Sequence, residues 1–529
     1  MVSLCRTGPS YMSNGGQTVC YSFVPLPGAV TVRPQSGEVE RRRRVVLHVN
    51  MSIHLGLERV ERLATHLEKF RRPTVHVAGT NGKGSVTSIL TSILHASGLS
   101  IGRFNSPHLV AVHDAILVNG QPVSPSVYDH ARNLVIAADQ HHNTAATPFE
   151  LLTLTALQIF EDAKLDIVVV EVGMGGRDDA TNVIPDDCIL VSVLTAVDLD
   201  HQKFLGDTVE SIAEHKAGIA RPGKPFVLGP QRYPVVELAA RRIVEGPEIR
   251  GRFIISTPVR PSHVGEEYRF SPSERPFISP PAQPIEFHST PFTSPIHAKL
   301  PLHGAHQLDN LSLSLTVIST LLTHTPASYR ITAETVRAGI EGASWPGRLT
   351  FHTLPRPVTV GSTLDPSVVL VDGAHNAACA EMLASYISEL VAQVKPGAKL
   401  HITYIVALSH SPPKRPFDTL SPILLPHGSQ GSTASVRVAA LRFTPPEGMP
   451  WVTCVPPLEI RDTVRQIIHL GDEDVWAAPD DLPMGSQLLK ALEWTEAEQT
   501  ARTGENLVVI TGSLYLVADF YRLLKLLEE

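Results

Sequence analysis

Val75-His-Val-Ala-Gly79-Thr-Asn-Gly-Lys83-Gly-Ser85-Val-Thr87 is the stretch whose reading decides the fold. A β-branched run ends in a glycine-rich turn, and a helix-forming run follows. That order sets backbone N–H groups and a lysine at a helix N terminus, where phosphate binds well. The usual phosphate loop keeps four residues between its glycines and puts Ser or Thr directly after the lysine. Here two residues separate Gly79 from Gly82, and Ser85 follows Lys83 by two, which excludes the ordinary GTPase spacing. Gly79, Thr80, Asn81, Gly82, Lys83, Gly84 and Ser85 are the candidate nucleotide residues. A bare strand-to-helix turn is the plainer alternative.

Outward from this loop, composition bounds the rest. A chain of 529 residues holds two or three domains at about 100–200 residues each. Hydrophobic residues make up 43% and charged residues 18%, the balance of a globular enzyme. No apolar run reaches the roughly 18–20 residues of a membrane helix. A net charge of −7 leaves no basic footprint for nucleic acid. Cys5, Cys20, Cys188, Cys379 and Cys454 form no CxxC pair and read as reduced thiols of an intracellular protein. The expected partners are small molecules, with neither nucleic acid nor membrane, and a cytoplasmic monomer is expected.

Residues 1–50 differ from the rest, with six arginines and two acids. They read as a disordered leader or a mispredicted start, with a mitochondrial transit peptide as the alternative. Leu57 to Leu67 repeats apolar residues at three and four, the spacing of a helix. Val86 to Ala96 is a second helix, ended by Gly98. Thr147-Pro-Phe-Glu150 opens a third, with Pro148 in its first turn and Glu150 at the positive end of the dipole.

Asp166-Ile-Val-Val-Val-Glu171 is a continuous apolar run, the pattern of a buried parallel strand. Glu171 ends it, where open α/β sheets place ligands. A carboxylate that faces phosphate oxygens there needs a cation, and Mg²⁺ accepts a few carboxylate, hydroxyl and imidazole ligands beside water and phosphate. Cys188–Leu194 and Phe226–Gly229 read as further strands, and Glu210–Ala220 as a helix. Stretches 256–296 and 409–435, rich in Pro and Ser, read as insertions, the first with a hairpin at its end. Arg348 is a forked, permanent cation suited to bridging phosphates.

Val368–Val371 is a buried strand running into Asp372-Gly-Ala-His375-Asn376 and a helix from Ala377 to Val394. Leu400–Ala407, Arg437–Phe443, a helix near 460–468, Leu507–Thr511 and a helix from Leu514 complete a smaller α/β unit. Gly512 and Ser513 stand at that last helix's N terminus, which suits a carboxylate. Ser513 acting as a simple cap is the alternative.

The phosphate loop, Ser106-Pro-His-Leu109, Gly175-Gly-Arg177-Asp-Asp179-Ala-Thr-Asn182, Asp200-His201, His215-Lys216-Ala-Gly-Ile219, Gly304-Ala-His-Gln307-Leu-Asp-Asn310 and Asp372-Gly-Ala-His375-Asn376 together resemble the Mur-type ligases. Within them they resemble the folate branch, the dihydrofolate and folylpolyglutamate synthases. The resemblance covers roughly 51–529, with gaps at the two insertions. It implies a Mur-ligase-like N-terminal P-loop ATPase domain (51–344) with a mostly parallel sheet, and a smaller Rossmann-like α/β C-terminal domain (345–529) entered at Trp345-Pro-Gly-Arg348.

It further implies Mg²⁺ at Ser106, Glu171 and His201, with Lys216 carbamylated beside a second metal. Asn310 would reach adenine, and Asp372 and His375 would meet ATP. Phe149, Glu150, Arg177 and Asp179 would belong to the pterin side, and Ser513 and His375 to glutamate. Lys83, Lys216, His201 and Arg348 would carry catalysis.

Two positions depart from the pattern: Asp178 replaces a leucine-like residue, and His215 replaces Glu. Phe149-Glu150 and the Arg177–Thr181 run look like the dihydrofolate synthase and bifunctional type. Glu447-Gly-Met-Pro-Trp451 and Gly512-Ser-Leu-Tyr515 look like the fungal dihydrofolate synthases. The implied reaction is ATP-dependent ligation of L-glutamate to dihydropteroate. Folylpolyglutamate synthesis, a bifunctional enzyme, and a nucleotide-binding pseudoenzyme or regulator are the alternatives.

Overall fold

The computed structural model describes residues 55–528, apart from 263–267, 289–291, 293, 325–330, 360–365, 427–433, 448, 450 and 500–503. The leader and transit readings of 1–50 fall outside the described residues.

Among the described residues eleven strands precede residue 301: β1 Thr74–Ala78, β2 Ile101–Phe104, β3 Ile116–Val118, β4 Gln121–Pro122, β5 Ile167–Glu171, β6 Ile189–Leu194, β7 Pro225–Leu228, β8 Arg252–Ile255, β9 Arg260–Pro261, β10 Gln283–Phe287 and β11 Ile296–Leu300. The first eight form one sheet in the order β4-β3-β2-β5-β1-β6-β7-β8. From β2 to β8 its neighbours run parallel, and only β3 and β4 are antiparallel. Every residue of β1 and β5 is buried, as a strand covered on both faces requires.

One face is covered by the helices Lys83–Ala96 and His306–His324. Ile89, Leu90 and Ile93 of the first helix pack with Val75, Val77 and Val169 of the sheet. Each such side chain contributes about 1.5–3 kcal/mol on full burial. The other face packs on the helix Pro148–Asp162 through Leu154, Leu157 and Phe160. That helix begins with a reciprocal cap: Thr147 Oγ1 accepts from Glu150 N, and Glu150 Oε2 accepts from Thr147 N.

The second sheet comprises β12 Thr350–Thr353, β13 Val368–Val371, β14 Leu400–Val406, β15 Ala434–Ala440, β16 Val475–Ala477 and β17 Glu505–Thr511, in the order β12-β13-β17-β14-β15-β16. All its neighbours run parallel except β12 with β13. Apolar clusters lie on both faces, one with the helices Ala377–Ala392 and Pro416–Leu424, the other with Leu514–Glu528. This is a second α/β domain.

The stretch 256–296 carries β9 and β10 and runs into β11, and the three form a separate antiparallel sheet in the order β11-β10-β9. The stretch 409–435 holds the helix Pro416–Leu424, which a proline-rich composition hides: Pro416 sits in its first turn, and Leu420, Ile423 and Leu424 are buried. Five further helices were not read from sequence, Pro125–His142, Gln202–Leu205, Pro234–Val244, Ala333–Glu341 and Met484–Gln499. The first buries only Tyr128, Ala131 and Val135 over 18 residues, so its apolar stripe is thin.

Candidate functional site

The phosphate loop is held from every side. Gly79 has φ +150, and a Cβ there would fall 1.8 Å from Thr195 Oγ1, so only glycine fits. Thr195 Oγ1 donates to Asn81 O, and Thr80 Oγ1 to Asp198 O. Gly82 lies against the Asn310 amide, whose Nδ2 donates to Gln307 Oε1, and Gln307 Nε2 in turn reaches Ser85 Oγ. Asn310 thus braces the loop itself. Trp345 packs on Gly84, and the Arg103 guanidinium lies over the indole at 4.9 Å. Lys83 Nζ donates to Thr80 O and stands 3.7 Å from Glu171 Oε1.

Glu171 ends β5 and is 5% exposed. Burial raises its pKa, opposed by Lys83, Asn105 and Arg348. Asn105, from the end of β2, donates to Glu171 Oε2 at 2.6 Å and to Thr87 Oγ1 at 2.7 Å, while its own Oδ1 is buried without a hydrogen-bond partner. A desolvated carboxylate and an orphaned amide oxygen beside a phosphate loop form an oxygen-rich site that suits a hard cation. Ser106 follows Asn105 directly and is half-buried. Among the described residues no group of three or more His, Cys, Asp or Glu converges as a metal cage.

Lys216, on the helix Val209–Ala217, is 3% exposed and donates to Gly79 O at 2.8 Å. Burial, and then the nearby Lys83 charge, push its pKa down to about 7. His201 follows β6 in a left-handed conformation with φ +53. Desolvation lowers its pKa, Asp200 opposes this, and the cations around it are Lys216, Lys83 and Lys414.

The second domain meets this site at the turn after β13. Asn376 Nδ2 donates to Asn81 Oδ1, and His375 Nε2 stands 3.8 Å from Asp200 Oδ2. Burial works against the Asp200 charge, but His201, Lys414 and His375 outweigh it and hold its carboxyl below the ordinary range. Desolvation by the surrounding protein, aided by Lys414, pushes the His375 pKa down to about 4. Asp372 accepts from Leu349 N and Ala374 N, so its carboxylate ties the Trp345–Arg348 segment to the strand end. Arg348 lies against Gly373 and adds charge near both Glu171 and Asp372. Ser513 is buried, and its Oγ accepts from Tyr515 N.

The four pterin-side candidates divide. The Phe149 ring and the Asp179 carboxylate both border Gly173. Asp179 accepts from Met174 N, Thr181 N and Thr181 Oγ1, so it shapes its loop from within. Glu150 is turned to Arg59 at 3.0 Å as well as to its cap, and Arg177 is exposed. The two departures from the motif, Asp178 and His215, meet each other: His215 Nε2 lies 3.1 Å from Asp178 Oδ2. Asn105, Asp200, Asn376 and Lys414 carry much of the geometry and were given no role from sequence, although Asp200 and Asn376 stand inside named motifs. The signal for the first three was their position beside a named motif residue.

Residues 362–523 match the dihydrofolate synthetase C-terminal domain, and 77–226 the Mur ligase middle domain. The dihydrofolate synthetase of Saccharomyces cerevisiae is 32% identical over 477 residues, 89% of this chain and 98% of that one. The probable dihydrofolate synthetase of Schizosaccharomyces pombe is 32% identical over 480 residues, 90% of this chain and 100% of the other. The crystal structure of Mycobacterium tuberculosis folylpolyglutamate synthase complexed with ADP and AMPPCP superimposes with a TM-score of 0.68 at 24% identity, over 89% of this chain and 95% of that one. The matches run from the phosphate loop through the second domain, and on their extent this chain belongs to the dihydrofolate synthase and folylpolyglutamate synthase family of Mur-type ligases.

Proposed function

We propose that this chain ligates L-glutamate to 7,8-dihydropteroate at the expense of ATP, giving dihydrofolate, ADP and phosphate. The observation that carries the reading is the joining of two half-sites. The phosphate loop with Lys83, Glu171 and Lys216 lies on the first domain, and Asn81–Asn376 and Asp200–His375 couple it to the turn after β13.

The dihydropteroate carboxylate attacks the γ-phosphorus, ADP leaves, and an acyl phosphate remains. The glutamate amine then attacks the acyl carbon, loses its proton and expels phosphate. Such chemistry needs positioning and charge neutralisation more than a protein nucleophile. Lys83 and Arg348 are the cations for the transferring phosphoryl group, with Thr80, Asn81, Ser85 and Asn310 shaping the loop. Phe149 and Asp179 line the pterin side, with Glu150 and Arg177 in outer roles. Ser513 and His375 face glutamate.

Ser106, Glu171 and His201, with Lys216 as its carbamate, are the residues that would hold magnesium, which when bound supplies positive charge against the phosphate oxygens. A pKa near 7 supports the carbamate, because CO₂ combines with the neutral amine. The proposal includes a boundary at 344/345, a monomer, and a cytoplasmic location that fits cysteines without CxxC spacing. No helix among the described residues is long and apolar enough to cross a membrane.

The test supplies MgATP and L-glutamate with either dihydropteroate or a reduced folate monoglutamate, and identifies products by mass. Addition of one glutamate to dihydropteroate is the expected outcome. Extension of the folate alone would reassign the chain to polyglutamate synthesis.

A further inference from the structure

The stretch between β9 and β10 leaves the first domain and comes back to it. Val259 before it, and Ile285 and Phe287 after it, belong to the apolar cluster of the first sheet, together with Ala298 and Leu300 of β11. Between those anchors, residues 268–278 lie on the second domain. Phe270 is wholly buried and belongs to that domain's apolar cluster with Leu370, Leu400 and Ile402. Tyr268 and Phe277 pack against the same cluster. The rings of Phe270, Phe277 and Phe351 of β12 stand 5.6 to 6.3 Å apart, centre to centre.

Polar bonds set the register of this seat. Glu505 opens β17 and is 6% exposed. Its carboxylate accepts from Ser271 Oγ at 2.8 Å and from Ser273 N at 2.9 Å. Arg275 Nη2 donates to Pro366 O at 2.8 Å, just ahead of β13. Phe270 N donates to Gln393 O, and Phe270 bridges Val394, ahead of β14. A buried carboxylate needs donors in place, so the two bonds to Glu505 fix where the segment sits. All these attachments lie at the amino ends of the second sheet's strands, away from the turns that carry His375 and Ser513.

The segment linking the domains holds the carboxyl end of the same strands. Leu349 N donates to Asp372 Oδ2, and Gly373 N to Gly347 O. Asp372 N in turn donates to Ile510 O of β17. From Glu505 to Ile510 the strand rises roughly 3.3 Å per residue, which separates the two attachments by about 17 Å.

A body held at two separated points turns only about the line through them. We propose that residues 268–278 are a second hinge, and that the second domain swings about a line along β13 and β17, from the Glu505 end to the Asp372 end. His375 and Asn376 follow the Asp372 turn, next to that line, so their contacts with Asp200 and Asn81 persist through the swing. β14, β15 and β16 are carried instead. Leu109, three residues after Ser106, packs against the cluster that includes Leu441 and Phe443 after β15. The swing therefore opens and closes the cleft at the Ser106 loop, whichever acyl substrate the site takes.

The test measures distances between pairs of spin labels in the full-length enzyme, carried on p-acetylphenylalanine so that the native cysteines stay. One pair joins Leu238, exposed on the helix Pro234–Val244, to Leu458, exposed on the helix Pro457–Ile467 that packs on β15 and β16. The other joins Leu238 to the exposed Lys395, beside the Phe270 bridge. At about 4.8 Å per strand β15 stands roughly 12 Å from the line, so a rotation of about 15° moves it by about 3 Å. MgAMPPNP should shift the Leu238–Leu458 distance by about that much and leave Leu238–Lys395 in place. In the variant combining Glu505→Ala with Arg275→Ala, the Leu238–Lys395 distribution should broaden. Ser271→Ala, which keeps the apolar seat, should give a smaller broadening and serves if the double variant fails to fold. Equal shifts in both pairs of the wild type would leave a single hinge and overturn the proposal, as would no shift in either. An unchanged Leu238–Lys395 distribution in the folded variants would make the segment a passive covering. None of these distances depends on dihydropteroate being the acyl substrate, which product analysis decides separately.

Discussion

Two of the strand–turn–helix junctions that end parallel strands in this chain differ in build, one at Gly79–Lys83 and the other at Gly512–Ser513. Each turn has a glycine at positive φ, +150 at Gly79 and +98 at Gly512, and each opens a long helix. The first spends four residues on its turn, has a lysine at the first position of its helix, and is braced by Thr195, Asp198, Lys216, Asn310 and Trp345. The second passes from Thr511 to Leu514 in two residues and has no cation of its own. Polyphosphate is large and highly charged, so its loop must be long, pre-formed and self-sufficient. A carboxylate, the ligand proposed for the second turn, is small and asks for less: a short turn at a helix N terminus offers it free N–H groups.

Removing Lys83 tests the self-sufficiency of the first turn. Lys83→Ala should lower turnover roughly 10²–10³-fold, the usual loss for one phosphate- or oxyanion-stabilising contact. ADP release at saturating ATP measures this, and an unchanged melting temperature separates it from misfolding. Near-normal turnover would show that the loop does not depend on its lysine.

Lys216 sharpens the contrast, since the second turn has no counterpart to it. Lys216→Ala should lose most activity and regain part of it with a short-chain carboxylic acid. ¹³C-bicarbonate should give a carbamate resonance in the wild type that the variant lacks. The unmodified lysine has a folded pKa near 7, below its ordinary 10.5. Between those values the unfolded chain binds more protons, so its contribution to stability should improve as pH rises through that window. Lys216→Met should flatten that part of the stability profile.

A smaller effect is expected at the link between the domains. Asn376 caps its helix by accepting from Cys379 N and also donates to Asn81 Oδ1. Asn376→Ala should cost about 0.5–2 kcal/mol in denaturant unfolding, as a lost N-cap does. It should also raise the KM for ATP, because Asn81 belongs to the phosphate loop. A stability loss with no kinetic change would reduce Asn376 to a cap.

The smallest change is expected at Ser513, where Tyr515 N already takes up the hydroxyl. Ser513→Ala should raise the KM for glutamate by up to about tenfold, the scale of one hydrogen bond, with less change for ATP. If only stability falls, by about 0.5–2 kcal/mol, Ser513 is a cap and the carboxylate is held elsewhere.

What could be read from sequence was what lies contiguous in the chain. The strand-turn-helix at Gly79, the apolar run ending in Glu171, and Asp372-Gly-Ala-His375-Asn376 each carry their geometry in a few consecutive residues, and the folded chain shows those elements. Contacts made only by tertiary approach were hidden. Asn105 reads as an ordinary polar residue after β2 until Glu171 and Thr87 are brought beside it. Asp178 and His215 read as two unrelated departures until folding pairs them. Lys414 was concealed by its Pro- and Ser-rich surroundings, which resemble a loop without function even where they start a helix. Burial likewise cannot be read locally: nothing in the helix spacing announces that Lys216 points inward to Gly79 O.

Trp345 touches Gly84 of the phosphate loop on one side and lies under Arg103 on the other. An indole whose emission responds to a neighbouring cation therefore stands against the turn proposed to seat the nucleotide. The chain has four tryptophans, and Trp494 lies under Arg437 in the second domain. With the other three replaced by phenylalanine, Trp345 becomes an optical probe inside the unlabelled enzyme. Its intensity and wavelength would follow nucleotide arrival in a stopped-flow instrument, resolving the first event of the cycle from the chemistry that follows it.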